Sequence, residues 1–89
     1  MSESKRFVYV LRTVSDPPRY YTGLAADVRA RLAAHNAGNS PQTAAHKPWR
    51  LHIVIHFTSE QRAAAFERYL KSASGRAFAR KHFEGLDMT

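Results

Sequence analysis

At 89 residues and 44% hydrophobic composition, the chain suits one small core and is too apolar for a disordered tail, so a single domain is expected. The absence of cysteine excludes disulfides and thiolate metal sites and fits a reducing compartment. The net charge of +7, from 14 Lys+Arg against 7 Asp+Glu, favours a polyanionic partner.

Residues 6–14, "RFVYVLRTV", are β-branched and aromatic with rough alternation and predict a first strand. "SDPP" breaks it, and "RYYTG" (19–23) predicts a second strand pairing back in antiparallel fashion. Asp27 is a helix N-cap, with Val28 and Leu32 on one face of the helix it opens. That helix is expected to stop at Asn36-Ala37-Gly38. "NSPQTAAHKP" reads as a polar loop. "WRLHIVIHF" (49–57) is the clearest strand: Leu51, Ile53, Ile55 and Phe57 alternate with His52, Val54 and His56, and a central place in the sheet is expected.

Thr58 to Gln61, "TSEQ", has the form of a capping box and opens a helix through "RAAAFERYLKSA". Its core stripe is Phe66 and Leu70, with Ala63, Tyr69 and Ala73 beside it. Ser74-Gly75 is expected to interrupt, and "RAFARKHF" forms a last short helix with Phe78 inward. The prediction is an α+β fold: a small three-stranded antiparallel sheet flanked by helices, in the order β-β-α-β-α-α, over residues 6–83. Residues 1–5 are expected to be disordered and residues 84–89 frayed.

The charge is unevenly placed. Arg68, Lys71, Arg76, Arg80 and Lys81 fall between residues 68 and 83 with no acid among them, which suits phosphate contacts. The plainer alternative is a solvated basic surface. Glu67 is the single acid between Gln61 and Phe83. Its plain reading is an intrahelical pair with Lys71 at i+4. His52 and His56 share a strand face in this pattern, but a zinc site there lacks further ligands. Trp49 reads first as a core anchor and second as a platform for stacking on a base.

The ordered set of Tyr9 in "VYVL", Tyr21-Thr22-Gly23, Arg31 in "VRARLAAHNAG" and Glu67 in "AAAFERYLK" resembles the GIY-YIG nuclease superfamily, in particular its small single-domain members. The first motif lies at Val8-Tyr9-Val10, with Val8 in place of glycine; Thr22 replaces the isoleucine of the second. The late asparagine of many members has no counterpart after the third strand. The resemblance implies catalytic roles for Tyr9, Tyr21, Arg31, Glu67 and, as an accessory, His35. It also implies one divalent ion, Mg²⁺ or Mn²⁺, on Glu67. Phosphate contacts are expected from Gly23, Arg29, His46, Lys47, Arg68, Lys71, Arg76, Arg80 and Lys81.

The chemistry supports that set. Phosphodiester hydrolysis needs a base for water, a cation for the growing charge and help for the leaving oxygen. A phenol becomes a better base beside a cation or metal. Arginine presents a permanently charged planar fork to phosphate oxygens. One carboxylate suffices for Mg²⁺, which keeps its waters and takes substrate phosphate as a ligand.

The expectation is a metal-dependent DNA endonuclease of repair or processing, selective for branched or single-stranded DNA rather than for a base sequence. RNA stays open as a substrate because nothing here reads a 2′-hydroxyl. The alternatives are a non-catalytic nucleic-acid-binding module and a subunit active only with a protein partner. A soluble cytoplasmic protein without a membrane partner is expected, because residues 1–11 lack the apolar run of a signal peptide or membrane span.

Overall fold

The computed structural model describes residues 4–84. The elements are β1 (Phe7–Thr13), β2 (Tyr20–Ala25), α1 (Val28–Asn36), α2 (Pro41–Ala44), β3 (Trp49–His56), α3 (Glu60–Leu70) and α4 (Ala73–His82). The fold is the expected α+β arrangement, a three-stranded antiparallel sheet with helices. One short helix, α2, is added where a polar loop was expected: Ser40 precedes it and Pro41 sits in its first turn. The expectations for residues 1–3 and 85–89 lie outside the described residues.

The strand order is β2-β1-β3, so β1 is central and β3 an edge, contrary to expectation. The physical reason is visible in β1. Val8, Tyr9, Val10 and Leu11 are successive and at most 4% exposed, so both faces of the strand are covered. In β3, by contrast, Leu51 and Val54 are each 42% exposed. A β-bulge also interrupts its alternation. Val10 lies opposite Ile53 and Leu11 opposite Leu51, which leaves His52 as the extra residue.

The bulge separates His52 from His56. His52 packs against Tyr20 at 5.6 Å between ring centroids, and its Nε2 donates to the Phe83 carbonyl at 2.7 Å. His56 lies against Phe7, 4.8 Å between ring centroids. Tyr20 opposes Arg12 while His56 opposes Phe7, positions of opposite parity on β1, so the two histidines occupy opposite faces.

Alternation along β1 divides the core in two. Tyr9 and Leu11 pack with Ala25, Trp49, Val28, Leu32 and Tyr21 on the α1 side. Val8 packs with Ala63, Leu70 and the partly buried Leu24, Phe66, Phe78 and Phe83 on the α3–α4 side. Trp49 is a core anchor at 4% exposure, and its indole donates to the Thr43 carbonyl at 2.9 Å. That burial removes the base-stacking alternation from consideration. Tyr69, 39% exposed, and the exposed Ala73 flank the core rather than join it.

The helix ends follow local chemistry. Asp27 caps α1, accepting from the Ala30 N–H at 3.0 Å. Ser59, not Thr58, caps α3 by accepting from the Arg62 N–H at 3.3 Å. The break between α3 and α4 falls at Lys71-Ser72 rather than at Ser74-Gly75, and Ser72 caps α4 by accepting from the Gly75 N–H at 3.2 Å. Gly75 lies inside α4, where a Cβ would collide with the Tyr69 carbonyl.

Candidate active site

The site is built around β2 and the adjoining ends of α1 and α3. Tyr9 is directed to the α1 face by the alternation of β1, and it lies opposite Gly23 in the β1–β2 ladder. A Cβ at Gly23 would overlap the Tyr9 Cζ and hydroxyl, so the missing side chain is what lets the phenol lie flat across β2. Gly23 is itself buried. It therefore shapes the site from beneath the phenol.

The Tyr9 hydroxyl stands 3.0 Å from His35 Nε2. His35 is 0% exposed, and its Nδ1 lies 2.7 Å from the Thr43 hydroxyl. Arg31, one helical turn before His35 on α1, hydrogen-bonds the Tyr9 side chain from the exposed rim. Burial pushes the Tyr9 phenol above its ordinary value of 10.0, against the opposing hydrogen bond from Arg31. Burial first, and the Arg31 charge second, hold His35 below its ordinary value of 6.5, so the imidazole is neutral at pH 7.

Tyr21 is only half-buried and lies 6.4 Å from Tyr9 and 4.8 Å from His35, ring to ring. β2 is an edge strand, so Tyr21 can be reached from the α3 end. Lys71 Nζ sits 5.9 Å from the Tyr21 ring centroid and 2.6 Å from the Glu67 carboxylate. The intrahelical Glu67–Lys71 pair, the plain alternative for Glu67, is therefore present. It is partly solvated, with Lys71 52% exposed and Glu67 15%, and such a pair contributes about 0.2–0.5 kcal/mol. The same lysine ties the carboxylate to the side of the molecule that carries the phenols.

A groove runs between β2 and the α3–α4 pair. Tyr20, Tyr21, Thr22, Lys71, Arg76 and Phe83 are among the residues lining it. Arg31 lines a separate groove with Lys5 and Asp27. Of the expected phosphate contacts, Lys71 and Arg76 enter the groove beside Tyr21. Arg68, Arg80 and Lys81 are exposed on the same two helices, Arg29 is exposed on α1, and exposed Lys47 and half-buried His46 lie in the α2–β3 loop. Among the described residues no three His, Cys, Asp or Glu side chains cluster as a metal cage, and no helix is long and apolar enough to cross a membrane.

Two residues of the site region had no sequence signal of their own. Thr43 reaches His35 only because α2 folds back against α1. Asn36 accepts from the Trp49 N–H at 2.6 Å and donates to the Trp49 carbonyl at 3.0 Å. It thereby clasps the start of β3 to the end of α1. The signal for both was the Ser40-Pro41 helix start, which shortens the loop enough to bring them into contact.

The family model described as the GIY-YIG catalytic domain matches residues 5–83. The chain belongs to the GIY-YIG family. It is 36% identical over 70 residues to a UPF0213 protein of Streptococcus pneumoniae serotype 4 (strain ATCC BAA-334 / TIGR4), covering 78% of this chain and 69% of that one. It is 37% identical over 67 residues to a UPF0213 protein of Yersinia pestis (strain Pestoides F), covering 75% and 67%. These designations name no activity. No solved structure matches. At the level of the family, a GIY-YIG domain is a nuclease-type hydrolase with a nucleic-acid substrate, and the family generally uses divalent metals.

Proposed function

We propose that this GIY-YIG domain is a metal-dependent DNA endonuclease acting in repair or processing, selective for branched or single-stranded structure. The observation that carries this reading is the position of Lys71, 5.9 Å from the Tyr21 ring and 2.6 Å from the Glu67 carboxylate, which links an acid of α3 to a phenol of β2. The surrounding cations are backbone contacts, and backbone contacts position a nucleic acid without reading its bases.

Tyr21, rather than the buried Tyr9, is the general base, because it lines the groove and is the phenol beside Lys71. Its oxygen takes the proton of the attacking water. Arg31 receives the negative charge that grows on the phosphate oxygens. Tyr9 and His35 do not reach substrate; they hold the guanidinium in place from below. Lys71 and Arg76 seat the flanking phosphates.

The donor set fits a hard divalent ion held by one protein carboxylate. Glu67 is the acid paired with the groove-lining Lys71, while Glu84 lines the groove itself, and Mg²⁺ or Mn²⁺ needs few protein ligands when phosphate and water complete its shell. When bound on Glu67, the ion supplies charge to the phosphate and the leaving oxygen. The Glu67–Lys71 pair equally suits a second reading, a binding module without turnover. A cytoplasmic location belongs to the proposal as well, and a subunit active only with a protein partner stands as its alternative.

The test is incubation of the purified protein with supercoiled plasmid and branched oligonucleotides, with and without Mg²⁺. Metal-dependent nicking that disappears in Glu67→Ala is the expected result. Salt-sensitive binding with no nicking by wild type would establish the binding module instead, and equal nicking by wild type and Glu67→Ala would reject the site.

A further inference from the structure

We infer that Thr43 is a positioning residue which selects the ring tautomer of His35 and, through Tyr9, aims the Arg31 guanidinium. The inference deepens the nuclease reading and rests on it for the role of Arg31.

The argument follows the hydrogens. His35 is buried and neutral, so one ring nitrogen donates and the other accepts. Nδ1 faces the Thr43 hydroxyl at 2.7 Å, and that hydroxyl has its own acceptor in the Ser40 carbonyl at 3.4 Å. Thr43 can thus give its hydrogen to Ser40 and receive the one on Nδ1. Nε2 is then a lone pair facing the Tyr9 hydroxyl at 3.0 Å. Tyr9 donates to it, which turns the phenolic lone pairs toward Arg31, a group that only donates.

The opposite tautomer breaks this order. An N–H on Nε2 would donate to the Tyr9 oxygen and force the phenolic hydrogen out of that bond and toward the guanidinium. Donor would then face donor, and Arg31 would be displaced from its buried acceptor. Both ends of the chain, Thr43 with Ser40 and Tyr9 with Arg31, favour the same form, and Thr43 is the partner that receives the Nδ1 hydrogen. The chain is Thr43–His35–Tyr9–Arg31, and it runs from α2, through the core under β2, to the exposed rim of α1.

The experiment compares wild type, Thr43→Val and Thr43→Ser. Valine keeps the shape and removes the hydroxyl; serine restores it. The Thr43 carbonyl that receives the Trp49 indole is backbone and survives both changes. A proton–nitrogen correlation spectrum of the histidine rings, recorded on free protein, reads the tautomer without any need for catalysis. Wild type and Thr43→Ser should show His35 protonated on Nδ1, and Thr43→Val should lose that preference. In the nicking assay Thr43→Val should lower kcat by about 100-fold with KM unchanged, as a misplaced catalytic group does, and Thr43→Ser should recover it.

His35 protonated on Nε2 in wild type, or an unaltered tautomer in Thr43→Val, overturns the inference. So does a Thr43→Val protein with the altered tautomer and undiminished kcat. A tautomer that switches as expected in a protein that cleaves no substrate supports the hydrogen-bond chain and rejects the nuclease reading.

Discussion

A single hydrogen decides much of the geometry at Gly23. The Tyr9 ring occupies the volume that any side chain there would need. Gly23→Ala should push the phenol off His35 and destabilise the fold by about 1–3 kcal/mol, the usual cost of overpacking, measured by urea denaturation. Cleavage should fall further than the stability loss explains, because Arg31 loses its seat. His35 adds a pH dependence whose sign follows from its environment. Burial lowers its folded-state pKa, so the unfolded chain binds the proton more tightly. Its contribution to stability is complete above the unfolded value of 6.5 and is lost as pH falls through the lower folded value. Denaturation midpoints should therefore drop between pH 7 and pH 5, and His35→Gln should flatten that drop. A midpoint that rises on acidification would contradict the assignment of His35 as a buried neutral ring.

Among the elements, the α3–α4 corner is the most sensitive to one atom. Gly75 in α4 touches the Tyr69 carbonyl at the end of α3, and backbone cannot move aside as a side chain can. Gly75→Ala should lower the thermal midpoint more than Ala77→Gly in the same helix, a comparison that calorimetry makes directly; the reverse order would mean the corner is not tightly packed. The elements differ in how openly the sequence announced them. Asp27 and its helix were legible because a cap followed by Val28 and Leu32 is a local pattern. The position of β3 was not, because the alternation from Leu51 to Phe57 cannot reveal a bulge, which depends on the partner strand. α2 was hidden in a polar stretch, because a Ser-Pro start suits a loop as well as a short helix. The candidate residues of the site were visible as isolated types, Tyr, Arg and Glu. Their division into a buried half (Tyr9, His35) and a groove half (Tyr21, Lys71) was not, because it depends on which strand lies at the edge.

For the molecule as a whole, the +7 charge matters through where it stands. Lys71 and Arg76 face the groove, whereas Arg80 and Lys81 are exposed farther along α4. Binding to a DNA oligonucleotide should weaken linearly in log affinity against log salt. Arg76→Ala should reduce that slope by about one, and it should weaken binding to all base sequences alike. An unchanged slope would remove Arg76 from the interface. The account as a whole depends on a carboxylate, a phenol and a guanidinium gathered about one phosphate. A crystal structure of the protein soaked with Mn²⁺ and a short oligonucleotide measures this most directly, since anomalous scattering locates the ion. The account predicts the ion on Glu67, with a phosphate oxygen beside it in the groove that Tyr21 lines. An ion bound elsewhere, with Glu67 still paired only to Lys71 and the phosphate away from Tyr21, would contradict it.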